Sequence, residues 1–207
     1  MKKILILMAM FLLSTVSVFA SGMYSIEDLN GMNIQANSSI SKSDYKKAQK
    51  IMKEIYEKTT KGVNNGKGPF YAEIYNEKGH LVASSSNSVV EDKCCLCHAE
   101  VNALRKAHAK YKDYNLAPKN LTIYVNAEPC IMCAGAIMWS GVKTVYFGVP
   151  SSDVERITGF DEGYKPDWIN EFKKRGITVY GGIEKTAGEE VLQNYVNSGK
   201  KIYKPTR

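Results

Sequence analysis

The chain has no second long apolar run. Beyond its first twenty residues nothing approaches the roughly 20 consecutive apolar residues that a membrane-crossing helix needs, so the body of the chain is not expected to span a bilayer. Internal repeats are absent too, which excludes solenoid and propeller architectures. The residue after the first apolar stretch is Ser21 rather than a cysteine, so a lipid-anchored lipoprotein is not expected. Excess charge of one sign is modest. Lysine and arginine total 28 against 21 acidic residues, a formal +7 that favours anionic partners without specifying one. Lys42, Lys46, Lys47, Lys50 and Lys53, and later Lys173, Lys174 and Arg175, read as solvated helix faces rather than a nucleic-acid surface.

What is present starts at the N-terminus. Lys2 and Lys3 precede an apolar run from Ile4 to Val18, and Val18-Phe19-Ala20 has the small-x-small pattern of a cleavage site. Residues 1–20 are therefore expected to be a secretory signal peptide, and the mature protein to be periplasmic or secreted, free of the membrane. The chain has 207 residues, 44% hydrophobic and 24% charged, which suffices for one well-filled core. Its five cysteines fall into two groups, Cys94, Cys95 and Cys97, then Cys130 and Cys133. If the second pair binds a metal, three thiols remain, an awkward number outside the cytoplasm.

Residues 21–41 show no clear period and read as a linker or an N-terminal arm, leaving 42–207 as the main domain. Ser43 is a candidate N-cap for a helix from Asp44 to about Lys61, with Tyr45, Ala48, Ile51, Met52 and Ile55 at helical spacing. Phe70 to Tyr75 and Leu81 to Ser85 read as a hairpin around Asn76-Glu77-Lys78-Gly79. A helix from Ala99 to Tyr111, a strand from Leu121 to Val125, a helix from Cys130 to Ser140 and a strand from Val142 to Gly148 follow. Such alternation implies parallel pairing at the sheet centre with helices on both faces, an α/β fold. Ser151 to Trp168 is of mixed character, followed by a helix near Asp167 to Lys174, a strand from Ile177 to Tyr180 and a helix from Thr186 to Asn197.

The chemistry is concentrated in two short motifs, His98-Ala99-Glu100 and Pro129-Cys130-Ile131-Met132-Cys133. A hydrolytic zinc centre needs three protein ligands and an open position. Cys130 and Cys133, three apart at a helix start, can aim both thiolates at one point, and the helix N-terminus favours their charge. His98 can complete the triangle from a neighbouring helix. Glu100 is displaced round the helix from His98, placed to move protons without ligating. A Cys-x-x-Cys pair alone fits equally a redox pair, a disulfide or half of a structural four-cysteine zinc site. The joint pattern is the parts list of hydrolytic deamination at a metal-activated water.

His98-Ala99-Glu100 and the run from Glu128 to Ala136, followed by Trp139-Ser140 and Val145-Tyr146-Phe147-Gly148, resemble the cytidine deaminase-like superfamily. The pattern is most similar to the branch of bacterial guanine deaminases and adenosine deaminases that edit transfer RNA. That resemblance implies a three-layer αβα fold with a central mixed five-stranded sheet, one catalytic zinc and a homodimer or larger oligomer. It assigns Glu100 as the proton shuttle and Asn87, Phe70, Ala99, Glu128, Asp161 and Glu162 as candidate substrate-binding residues, Ala99 and Glu128 through backbones that frame the planar ring. Gly159-Phe160-Asp161-Glu162 resembles the Gly-Phe-Asp-Asp stretch of guanine deaminases, which makes guanine the expected substrate and Asp161 the expected acceptor of its N–H groups. Late aromatics, Tyr195 and Tyr203, are available to close a pocket.

Three departures qualify the resemblance. Tyr71 stands where a glycine is common, a change expected to crowd the pocket, and Glu73 sits on a strand usually apolar there. Cys94-Cys95-Leu96-Cys97 replaces the usual polar turn, as an oxidation-sensitive loop, an external disulfide or an extra metal handle. Export is unusual for enzymes of nucleobase pools. The expected partner is thus a small nucleobase or nucleoside, with RNA less favoured. Deamination of transfer-RNA adenosine or another base, and a noncatalytic zinc-binding interaction protein, stand as the competing readings.

Overall fold

The computed structural model describes residues 22–203; the expected signal peptide, residues 1–20, lies outside the described residues. Two-residue strands β1 (Met23–Tyr24) and β3 (Ile40–Ser41) pair with each other, and helix α1 (Ile26–Gly31) lies between them in sequence. The other strands are β2 (Gln35–Ala36), β4 (Tyr71–Tyr75), β5 (Leu81–Ser86), β6 (Thr122–Ala127), β7 (Thr144–Val149) and β8 (Thr178–Gly181). They form one mixed sheet in the order β2-β8-β7-β6-β4-β5. Pairing is parallel for β6 with β7 and β7 with β8, and antiparallel elsewhere.

The sheet therefore has six strands, not the five expected. The extra strand, β2, comes from the arm and is too short to carry any alternation a sequence reading could detect. It is held by Asn37 just beyond it. The Asn37 side chain accepts from the Val179 N–H at 2.9 Å and donates to the Ile177 carbonyl at 3.0 Å, standing in for backbone pairing.

Helices α2 (Lys42–Asn64), α3 (Ala99–Tyr111), α4 (Ile131–Ser140), α5 (Ser151–Thr158), α6 (Trp168–Lys174) and α7 (Lys185–Asn197) complete the order. Ser41, not Ser43, caps α2, its hydroxyl accepting from the Asp44 N–H at 2.9 Å. Helix α5 lies within the segment of mixed character from Ser151 to Trp168. Its punctuation was in the sequence, Pro150 before the first turn and Gly159 past the last, the latter at φ +70°.

The two-residue period of the strands separates two cores. Ala72, Ile74, Ile123, Val125, Val145, Phe147 and Val179 face α3, α4 and α6 and form an aliphatic face. The alternate positions Tyr124, Tyr146 and Tyr180 face α2, stacked in series with centroids 4.6 and 5.0 Å apart. Buried side chains such as Ile55, Ile74 and Ile123, each 0% exposed, contribute about 2 kcal/mol apiece by leaving water. This packing fixes α3 and α4 over the C-terminal side of the parallel strands, and the functional groups sit at those helices' first turns.

Candidate active site

His98 and Cys130 occupy equivalent places, the N-cap positions of α3 and α4, with extended backbone at φ −68° and −63°. Two helix N-termini thus converge, and Cys133 projects from the first turn of α4 to join them. The ligand atoms of His98, Cys130 and Cys133 lie within 4.8 Å of one another, the only such metal-capable group among the described residues. Nδ1 of His98 stands 3.6 Å from both cysteine sulfurs. Tetrahedral zinc with usual Zn–S and Zn–N lengths requires an S···N separation of about 3.6 Å, so the donor set fits the ion in type, number and spacing. Zinc bound there supplies Lewis acidity that lowers the pKa of water toward neutrality.

The electrostatics match a site built for a cation. The Cys133 thiol donates to Cys130 and, despite burial, holds it at about 4, with His98 adding to the effect. Cys133 is raised well above the usual thiol range, first by Cys130 and then by burial. Glu100, in the first turn of α3 and only 5% exposed, is pushed up to about 7 by burial and then by the nearby Cys130 charge. These groups open onto a cavity of about 370 Å³, large enough for a planar bicyclic ring. A wider groove of about 740 Å³ runs past the hydroxyls of β5, but it holds no metal-capable donor set, and chemistry rather than size locates the site.

Residues 45–149 match the cytidine and deoxycytidylate deaminase zinc-binding region. The chain belongs to this family. It is 31% identical over 134 residues to the guanine deaminase of Bacillus subtilis (strain 168), covering 65% of this chain and 75% of that one. It is 38% identical over 132 residues to the tRNA-specific adenosine deaminase of Buchnera aphidicola subsp. Schizaphis graminum, covering 63% and 82%. Among solved structures it superposes on the guanine deaminase from Nitrosomonas europaea with a TM-score of 0.67 and 36% identity, over 70% of this chain and 81% of that one. The chain is a zinc-dependent deaminase of the branch that holds guanine deaminases and tRNA adenosine deaminases.

The deaminase's cavity gathers some of the expected residues and not others. Phe70, Glu128, Asp161 and Glu162 line it beside His98, Glu100 and Cys130. Asp161 lies at the turn after Phe160, one carboxylate oxygen accepting from the Gly163 N–H at 2.9 Å. Glu162 is raised to about 8, first by burial and then by Cys130 and Glu100. Glu128 commits its carboxylate to the protein frame. It accepts from the Ser151 N–H and from the Trp168 indole N–H, both at 2.9 Å. It thereby ties the first turn of α5 to the first residue of α6 and braces the Asp161 segment between them.

Ala99 and Asn87 are not on the cavity wall. Ala99 is fully buried in the aliphatic core below it. Asn87 is 1% exposed and donates to the Tyr203 hydroxyl at 2.8 Å, while its side-chain oxygen accepts from the Val89 N–H at 3.2 Å. A Cβ on Gly68 would come within 2.8 Å of that oxygen, which explains the glycine there. Tyr203 packs edge-on against Phe160, at 5.0 Å, and closes the cavity of its own chain. Val89, Cys95, Ile131 and Met132 complete the wall. Of these, Ile131 and Met132 were legible as the two residues between the motif cysteines; Val89 and Cys95 carried no signal. Tyr71 does not crowd the pocket, because its side chain packs with the tyrosine face of the sheet.

Proposed function

We propose that the protein converts guanine and water to xanthine and ammonia. The observation that carries this reading is the placement of Asp161 and Glu162 on the same cavity wall system as the zinc ligands and the buried Glu100. Phe70 and Phe160, with ring centroids 5.3 Å apart, supply apolar walls for a planar purine. Asp161 accepts hydrogen bonds from the guanine amino and ring N–H groups, a pattern that adenine does not offer. Glu100 takes a proton from the attacking water and passes it to the ring nitrogen beside C2; it then moves the remaining proton of the new C2–OH to the departing amine, so that C2=O forms as the C2–N bond breaks and ammonia leaves. Similarity to guanine deaminases supports this assignment.

Release of ammonia by zinc-loaded mature protein, measured across guanine, guanosine, cytosine, adenine and an RNA hairpin, tests the substrate. Turnover of guanine above all others is expected; turnover of the hairpin with guanine inert would replace this reading by RNA editing. Cys133→Ser should abolish activity and lose bound zinc, read by metal analysis, and full zinc retention would exclude the ligand set.

Two further assignments complete the proposal. Exposed Ile131 (47%) and Trp139 (83%) on α4 support a homodimer formed through that helix, to be checked by sedimentation of Trp139→Glu. Lys2, Lys3, the following apolar run and Ala20 support export, with residues 1–20 removed.

A further inference from the structure

The loop between β5 and α3 carries three thiols that the zinc site does not use. Its backbone is closed by hydrogen bonds from Ser88 N–H to the Cys97 carbonyl (3.0 Å), from Cys94 N–H to Val89 (3.1 Å) and from Cys97 N–H to Cys94 (3.1 Å). The last of these defines a four-residue turn with Cys94 and Cys97 at its ends. Such a turn holds its end Cα atoms within about 7 Å, which overlaps the range a disulfide spans. The Cys94 and Cys97 side chains are near enough to act on each other electrostatically. Cys95, by contrast, is exposed and lines the cavity, and a bond between adjacent Cys94 and Cys95 would be strained. A metal role is not supported, since these two sulfurs belong to no three-donor group among the described residues.

We propose that Cys94 and Cys97 are a dithiol pair that closes to an intramolecular disulfide, a redox staple on the turn leading into His98. The oxidant is a small-molecule disulfide. The half-exposed Cys94 sulfur attacks it and forms a mixed disulfide, releasing one thiol; the Cys97 sulfur then attacks Cys94 and expels the second. Two cysteine thiols lose two protons and two electrons, and one disulfide becomes two thiols. Because the turn already brings the two residues within the Cα range a disulfide spans, closure needs no rearrangement of the loop's fold. Cys97 is itself anchored, its carbonyl also accepting from the Asn102 side chain at 3.2 Å. The staple therefore fixes the segment that supplies Val89 and Cys95 to the cavity wall, and it acts on the unfolded chain by closing a short loop.

The test uses the zinc-loaded full chain, equilibrated with oxidised or reduced glutathione, alkylated and mapped by mass spectrometry. A loss of about 2 Da in the peptide linking Cys94 to Cys97, reversed by reduced glutathione, is expected. A rise in Tm of about 4 °C should accompany it. Cys94→Ser and Cys94→Ala should each remove the redox dependence of Tm. A persistent glutathione adduct, a link through Cys95 or to a second chain, or a Tm that is unchanged or lower on oxidation would overturn the proposal.

Discussion

Glu73 and Glu100 are two buried carboxylates on opposite faces of one sheet, and their surroundings differ in kind. Glu73, on β4 beneath α2, is 1% exposed; Lys58 from that helix reaches it at 2.8 Å and the Tyr75 hydroxyl at 2.6 Å. Glu100, at the start of α3, is 5% exposed and has the Cys130 and Cys133 sulfurs and the His98 ring as its electrostatic neighbours. On the tyrosine face a buried charge is matched by a cation from its own chain. On the site face burial drives the proton affinity up, and the compensating positive charge is the metal's. The same residue type is thus an anchor in one place and a proton carrier in the other, decided by which partners the chain itself supplies.

The sharpest way to break that contrast is to remove each carboxyl in turn. Glu100→Gln keeps the shape and should lower kcat/KM about 1,000-fold while zinc content and Tm hold. Unaltered turnover would end the proton-carrier assignment. Glu73→Ala should do the reverse, leaving kcat intact and lowering unfolding free energy by about 2 kcal/mol in urea titrations. A value below the roughly 3–5 kcal/mol of fully buried pairs applies because Lys58, with its side chain 37% exposed, can turn back to water. A variant combining Glu73→Leu with Lys58→Met should recover much of the loss.

Glu73 also shows where the sequence was legible and where it was not. The hairpin signal placed a strand from Phe70 to Tyr75, but which neighbour would neutralise an inward Glu depends on Lys58, fifteen residues away on a packed helix. The zinc set was legible because its spacing is local: two sulfurs three apart and a histidine opening the adjoining helix. The motif marks Asn87 as a polar group near the site, but its partner here, the Tyr203 hydroxyl, lies 116 residues distant in sequence and has no local signal. Strand β2 and helix α5 escaped for different reasons. The first is two residues long and has no period; the second had its Pro150 and Gly159 signals, outweighed by the mixed character of the residues between and beyond them.

A smaller effect is expected from the carboxylate that belongs to neither extreme, Glu128. It lines the cavity but spends both oxygens on the frame, one on Ser151 and one on Trp168. If its work is to brace the Asp161 segment, Glu128→Gln should lower kcat/KM for guanine about tenfold, mostly through KM, with zinc retained. Trp168→Phe, which removes only the indole donor from that pair, should reproduce the KM rise, and the double variant should add little. A fall confined to kcat, or additive losses, would instead make Glu128 part of the chemistry.

The smallest effect concerns Glu162, which tests burial without a cation directly. Its pKa is about 8 in the folded protein against 4.5 as the ordinary value, raised first by burial. Between those two values the folded protein holds a proton that the unfolded chain has released. Stability from this group is therefore fully present below about pH 4.5 and declines as pH rises through 8. Glu162→Gln has no proton to release, so metal-free variant protein should lose less stability than the parent between pH 5 and pH 9. The difference should be about 1 kcal/mol, because water at the cavity mouth screens part of the charge. Metal-free protein is the right sample, since a bound cation would offset the Cys130 charge that also raises Glu162. Parallel stability curves for parent and variant would mean that Glu162, like Glu73, has found a partner, and would move it to the anchored side of the comparison.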